Sequence, residues 1–296
     1  MTDKPAYALL IHGGAGPKLG RDYSEVRRNL SDCIERGETM LKQGASAIDV
    51  VEQVVGALEV SGLYVAGRGA GKNSDGFVEL DASIMDGASG KAGAIAAARD
   101  IVNPIFAARR VMDATPHVML AGEGADLFCA DQGIEIVQNP DSWYRIPVGV
   151  TAEELALDEL SHGTVGAVAL DQAGKLAAAT STGGLFGKRS GRIGDTPLIG
   201  AGTWADENVA ISCTGLGEFF IRAATAHEVS ARLRFAGEDL QTACDAALGD
   251  IQRLGGDGGL IALRANGEFC MPYNSDGMKR ASVVAGEACR IAVFDD

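Results

Sequence analysis

The chain has 296 residues, with 26 Lys and Arg against 40 Asp and Glu, giving a formal net charge of −14. That acidity argues against a nucleic-acid partner, because phosphate contact needs a basic face. Hydrophobic residues make up 46% and aromatic residues only 5%, so the core must be built from Ala, Val, Leu and Ile in a large layered α/β fold.

The apolar run at residues 6–11 is too short for a signal peptide or a membrane span, so a soluble, cytoplasmic protein without a membrane partner is expected. Residues 6–12 read as a buried strand entering a turn at Gly13-Gly14-Ala15-Gly16-Pro17. From Ser24, Val26, Leu30, Cys33, Ile34 and Leu41 keep helical spacing. Ser46 caps a second helix, whose buried stripe is Ile48, Val51, Val55 and Leu58. After a glycine-rich stretch at 62–76, residues 77–85 and 91–98 read as paired strands. Asn103-Pro104 opens a helix, residues 117–121 form a short strand, and 124–131 another helix. Residues 134–162 hold Asn139-Pro140-Asp141, Pro147 and the acidic pairs Glu153-Glu154 and Asp158-Glu159. They read as a solvated linker or loosely packed helix ending at Gly163. Residues 165–170 and 176–180 make a hairpin with small or apolar residues on both faces, which predicts a sheet covered on both sides. A strand at 209–213, helices at 218–233 and 240–254, and strands at 258–263, 268–271 and 290–294 complete the order. Hairpins among helices favour an α/β layered sandwich over a purely parallel sheet.

Six widely spread cysteines form no C-x-x-C pair, so free buried thiols are expected. The four histidines lack metal-ligand spacing. Gly67-Arg68-Gly69-Ala70-Gly71-Lys72-Asn73 departs twice from a phosphate loop, at Ala66 and Asn73. Gly122-x-Gly124 and Gly215-x-Gly217 both lack the third glycine of a dinucleotide fingerprint.

The chemistry points to Gly163-Thr164. A threonine hydroxyl is a poor nucleophile unless a base lies beside it. Cutting the chain before Thr164 would supply one, since the new α-amine, with an ordinary pKa of about 8, can accept a proton at working pH. Polar residues also crowd segments where plain core strands would not want them. These are Thr180-Ser181-Thr182-Gly183-Gly184, Gly191-Arg192-Ile193-Gly194-Asp195, Cys213-Thr214-Gly215-Leu216-Gly217-Glu218, and Pro272 to Met278.

With Ile11-His12-Gly13-Gly14-Ala15-Gly16 and Leu80-Asp81-Ala82-Ser83, these motifs span nearly the whole chain. In order and spacing they resemble the plant-type asparaginase / isoaspartyl peptidase family of N-terminal-nucleophile hydrolases. The resemblance implies a single domain folded as a four-layer αββα sandwich. It also implies self-cleavage into an α fragment, 1–163, and a β fragment, 164–296, usually assembled as a dimer of such heterodimers. Thr164 would be the nucleophile and Thr182 the second threonine that tunes it. Thr214 and the Gly215 N–H would form the oxyanion hole. Arg192 would fork onto the substrate α-carboxylate, Asp195 would accept its α-ammonium, and Gly217 would contact the same charged end. No cofactor is required on this reading. A loop carrying Leu58, Glu59, Ser61, Tyr64, Ala66 and Arg68 matches one that binds a structural sodium ion through main-chain carbonyls. One departure stands out: where the family has Asn-Ala-Gly this chain has Val65-Ala66-Gly67. The Asn serves the oxyanion region, and Val65 has no donor. The implied activity is hydrolysis of β-aspartyl amides, with isoaspartyl dipeptides favoured over L-asparagine. A glycosylasparaginase-like hydrolase and a non-maturing binding relative are the alternatives.

Overall fold

The computed structural model describes residues 6–151 and 163–294. The acidic pairs at 153–154 and 158–159 lie outside the described residues. The fold is a mixed α/β arrangement with two sheets. In chain order its elements begin with β1 (Ala8–Ala15), α1 (Ser24–Lys42), α2 (Ala47–Ser61), β2 (Leu80–Asp86), β3 (Ala92–Ala98) and α3 (Pro104–Ala114). Then come β4 (Met119–Ala121), α4 (Gly122–Asp131), α5 (Pro140–Trp143), β5 (Val165–Leu170), β6 (Leu176–Thr182), β7 (Thr203–Ala205) and β8 (Val209–Gly215). The rest are α6 (Gly217–Ala223), α7 (Thr225–Ala231), α8 (Leu240–Arg253), β9 (Gly258–Arg264), β10 (Phe269–Cys270), β11 (Met278–Val284) and β12 (Arg290–Ala292). No helix among the described residues is long and apolar enough to cross a membrane.

The larger sheet runs β12-β11-β1-β5-β6-β2-β3-β4 and the smaller β10-β9-β8-β7. Alternation along each strand divides the burial. Leu9 and Ile11 of β1 join Val26 and Leu30 of α1, Val51 and Leu58 of α2, and Ile105 and Val111 of α3. Ala8 and Leu10 of the same strand join Val168, Ala178 and Met85 and meet Ala210, Ile261 and Leu263 of the smaller sheet. The other face of that sheet, through Ile211, Cys213 and Leu260, packs against Phe220, Val229, Cys244 and Ile251 of α6 to α8. Each fully buried Leu or Ile contributes about 1.5–3 kcal/mol by leaving water.

Helix ends follow local chemistry. Ser46 Oγ accepts the Asp49 N–H at 3.4 Å, and α2 stops at Gly62 in the left-handed region. Asp239 caps α8 by accepting the Thr242 N–H at 2.9 Å.

Several expectations need correction. β1 continues through the glycines to Ala15, because pairing with β11 resumes at Ala15 opposite Met278 after a bulge. The helix expected over 218–233 breaks at Ala224, which adopts φ 49° between α6 and α7. Asn103 precedes α3 without capping it; its amide donates to Glu59 and to the Gly56 carbonyl instead. Strands β7 and β11 were not anticipated: β7 has three residues, and Lys279-Arg280 masks the apolar alternation of β11. Five cysteines are buried and free as expected, but Cys289 is exposed.

Candidate active site

Strands from both sheets end at one place. Thr164 immediately precedes β5, Thr182 closes β6, Thr214 lies one residue from the end of β8, and Gly14 lies near the end of β1. Gly163, Thr164, Thr182, Arg192, Asp195, Gly215 and Gly217 line a single cleft, together with Gly184 and Leu185. Its free interior holds about one water molecule. Thr214 is fully buried behind that lining.

Thr164 is 4% exposed. Its Oγ1 donates to Thr182 Oγ1 at 3.4 Å, and Thr182 Oγ1 donates to the Gly163 carbonyl at 2.7 Å. Thr182 therefore polarises the carbonyl that precedes Thr164. The Gly184 N–H donates to Thr182 Oγ1 at 3.0 Å, which fixes that hydroxyl. Gly14, at φ +98°, presses on this junction. A Cβ there would lie 3.2 Å from both Thr164 N and Thr164 O, so only glycine fits by conformation and by space. Val65 stands on the other side. Its methyl packs on Gly163, where a Cβ would come within 2.9 Å of it, and its carbonyl accepts the Gly183 N–H at 2.9 Å. In place of a donor, Val65 supplies packing.

Thr214 Oγ1 accepts the Ala15 N–H at 3.1 Å. A hydroxyl that accepts in this way keeps its own proton for another acceptor.

The charged end is built from three residues. Asp195 is 4% exposed, and its buried Oδ2 has no partner. Burial pushes its carboxyl up to about 7, and the Arg192 guanidinium only partly offsets this. Gly217 lies against it: a Cβ there would be 2.8 Å from Asp195 Oδ1. Arg192 does not pair with Asp195. It forks onto Glu218 in the first turn of α6, Nε to Oε1 at 2.8 Å and Nη2 to Oε2 at 2.7 Å, while Nη1 lies over Gly194. That fork holds the Glu218 carboxyl below its usual range.

The sequence motifs contain Glu218 and Asp81 without assigning them a part, and sequence reasoning missed Glu79. Glu79 accepts the Gly191 N–H at 2.8 Å and the Asn73 amide at 3.0 Å, so it anchors the loop that leads to Arg192. Asp81 sits directly opposite Thr182 in the β2–β6 register. It is fully buried, and burial raises its pKa. One of its oxygens accepts the Ala97 N–H at 2.7 Å. The available signal was a carboxylate in a strand run, 80–85, whose only other polar residue is Ser83.

The 58–68 loop crosses the end of α2. The carbonyls of Leu58, Tyr64, Ala66 and Arg68 accept Ser61 Oγ and the N–H groups of Ala66, Gly69 and Arg145, respectively, at 2.7–3.0 Å. Each keeps a second lone pair. Main-chain oxygens crowd the turn: a Cβ on Gly69 would lie 1.9 Å from the Tyr64 oxygen, and one on Gly67 2.7 Å from the Glu59 oxygen. Main-chain carbonyl oxygen is the kind of donor a hard cation takes. The Glu59 side chain is turned away, accepting the Ile105 N–H and the Asn103 amide.

A family model described as asparaginase matches residues 5–293. The isoaspartyl peptidase of Salmonella typhimurium (strain LT2) is 42% identical over 97% of this chain and 98% of its own length. That of Escherichia coli (strain K12) is 42% identical over 97% and 95%. The probable isoaspartyl peptidase/L-asparaginase 2 of Arabidopsis thaliana is 40% identical over 98% and 99%. By that span and that identity, the chain belongs to the asparaginase family.

Proposed function

We propose that this chain is a threonine-nucleophile hydrolase of β-aspartyl amide bonds, matured by its own cleavage between Gly163 and Thr164. The observation that carries the reading is the 2.7 Å hydrogen bond from Thr182 to the Gly163 carbonyl, with the Thr164 hydroxyl against Thr182. In the precursor, Thr164 Oγ1 attacks the Gly163 carbonyl carbon, and Thr182 supports the charge developing on the oxygen. The Gly163–Thr164 amide bond breaks as the ester forms. The hydroxyl proton passes to the departing Thr164 nitrogen, which becomes the free amine. Water then opens the ester to release the Gly163 carboxylate and regenerate the Thr164 hydroxyl. Release of Gly163 also widens a cleft that otherwise holds about one water.

In the mature site the Thr164 amine takes the hydroxyl proton as the oxygen attacks the substrate β-carbonyl. It hands that proton to the leaving amine as the β-amide bond breaks, and water then opens the β-aspartyl ester on Thr164. Thr214, whose oxygen already accepts from Ala15, aims its proton at the developing oxyanion beside the Gly215 N–H. Arg192, held by Glu218, receives the α-carboxylate, and the orphaned Asp195 oxygen receives the α-ammonium. A zwitterionic aspartyl group satisfies both. Isoaspartyl dipeptides are favoured over L-asparagine, since Val65 offers no donor to the smaller substrate.

The layers support a single-domain αββα sandwich, and the active form is a cytoplasmic dimer of αβ heterodimers. A sodium ion on the carbonyls of Leu58, Glu59, Ser61, Tyr64, Ala66 and Arg68 would stiffen the loop that seats Val65 against Gly163. The test is a denaturing gel with N-terminal sequencing, then assays on a β-aspartyl dipeptide, L-asparagine and a glycosylated asparagine. Two bands, one beginning at Thr164, and preferred dipeptide turnover are expected. A persistent full-length band would favour the binding relative, and preference for the glycosylated substrate the glycosylasparaginase-like alternative.

A further inference from the structure

The inner face of the large sheet changes character two residues behind Thr164. Strand register sets His12, Gly166, Thr180 and Ser83 side by side across β1, β5, β6 and β2. In the smaller sheet Thr203 lies beside Ser212. All five side chains are fully buried. They make one continuous string. Ser83 Oγ lies 2.7 Å from Thr203 Oγ1, which lies 2.6 Å from Thr180 Oγ1. Thr180 lies 2.7 Å from Ser212 Oγ, and Ser212 2.9 Å from His12 Nε2. Gly166 makes the crossing of β5 possible: a Cβ there would lie 2.0 Å from Ser212 Oγ and 2.4 Å from His12 Nε2.

Side chains repeat on one face every second residue. Two residues along from His12, Gly166, Thr180, Ser83 and Ser212 are Gly14, Thr164, Thr182, Asp81 and Thr214. The string therefore forms the layer directly beneath the reacting groups, and it joins the two sheets. The next layer down, Leu10, Val168, Ala178 and Met85, is wholly apolar. Packing alone would be served by more of the same, because buried hydroxyls are costly unless they are bonded.

We propose that the His12–Ser212–Thr180–Thr203–Ser83 string is a positioning layer. It fixes the gap between the sheets, and so the distance from Thr164 on one to Thr214 and Gly215 on the other. This rests on the roles assigned above to Thr164 and Thr214. Ser83 Oγ also lies 2.6 Å from the Thr196 carbonyl, which can only accept, so Ser83 donates there. Each remaining contact carries one proton when Thr203 donates to Ser83, Thr180 to Thr203, Ser212 to Thr180 and His12 Nε2–H to Ser212, which makes His12 the neutral tautomer protonated on Nε2. Burial keeps the ring neutral, and the Thr164 main chain opposes that only in part.

The test uses full-length Thr180→Val, Ser212→Ala and Thr180→Ser, comparing self-cleavage rate, kcat and KM on a β-aspartyl dipeptide. Because small misplacements of reacting groups are expensive, Thr180→Val and Ser212→Ala should lower kcat about tenfold or more. KM should stay within about twofold, since Arg192 and Asp195 are untouched. Self-cleavage should slow in parallel, and Thr180→Ser should restore both rates. Wild-type kcat in matured Thr180→Val or Ser212→Ala would overturn the proposal. So would a loss that appears in KM alone, or one that Thr180→Ser fails to restore. Should Thr180→Val not fold, Ser212→Ala and Thr180→Ser decide the matter. A wild-type protein that cuts itself but spares β-aspartyl bonds would overturn the substrate assignment instead, and the self-cleavage rates of the variants would still judge the layer.

Discussion

The two ends of the space between the sheets obey different rules. At one end Leu10, Val168, Ala178 and Met85 meet Ala210, Ile261 and Leu263. There the stabilisation is non-directional and roughly follows the area removed from water. Two to four residues along the same strands, that filling gives way to His12, Thr180 and Ser212 and then to Thr164, Thr182 and Thr214, where single hydrogen bonds fix individual atoms. The lesson is a division of labour within one strand. The apolar end holds the sheets together, and on the reading proposed above the polar end sets how far apart Thr164 and Thr214 stand.

The sharpest way to break the comparison is Thr164→Ala. It removes only a small polar group, yet it should abolish both self-cleavage and hydrolysis, read on a gel and in a turnover assay. A variant that still cuts would move the nucleophile elsewhere. Next comes Arg192→Ala, which should raise KM about a hundredfold or more, as expected for an unpaired substrate carboxylate, while leaving self-cleavage intact. Unchanged KM would refute its assignment and leave the Glu218 pair as a structural tie.

Leu10→Ala tests the opposite end. It should cost about 2–5 kcal/mol in denaturant unfolding, with kcat of the matured protein preserved at low temperature. Lost catalysis without lost stability would erase the distinction between the two ends.

The pH dependence should be gentler. The Asp195 carboxyl, raised by burial to about 7, is neutral below that pH and offers the substrate ammonium no charge. KM should therefore rise as pH falls through 7, by about tenfold per unit, and Asp195→Asn should flatten the profile. A KM indifferent to pH between 5 and 8 would place the ammonium elsewhere. The smallest effect is expected from Val65→Asn, which sets a donor beside Gly163. It should speed L-asparagine turnover by about tenfold or less; slower turnover would mean that the Val65 packing matters more.

Much of the site was legible as motif. Gly163-Thr164, Thr182, Arg192, Asp195, Gly215 and Gly217 line one cleft although they come from four separate stretches of sequence. Thr214 was found too, but as a buried hydroxyl behind that lining. The partner of Arg192 was not foreseen, because a fork onto Glu218 depends on how α6 meets the 191–195 loop. Asp81 belonged to a motif but had no part until register placed it opposite Thr182, and Glu79 looked like an ordinary strand residue until the loop fold brought it to Gly191.

Sequence by itself determined most of the helices and strands, the apolar faces and which residue types could react. These follow from local periodicity and from chemistry that each side chain carries wherever it sits. Tertiary structure alone decided which hydroxyls touch. His12 and Ser212 are 200 positions apart, and Thr164 and Thr182 meet only because β5 and β6 pair in one register. A hydrogen bond needs its atoms within a few tenths of an ångström, and that precision comes from the packing of two sheets, which no local pattern encodes.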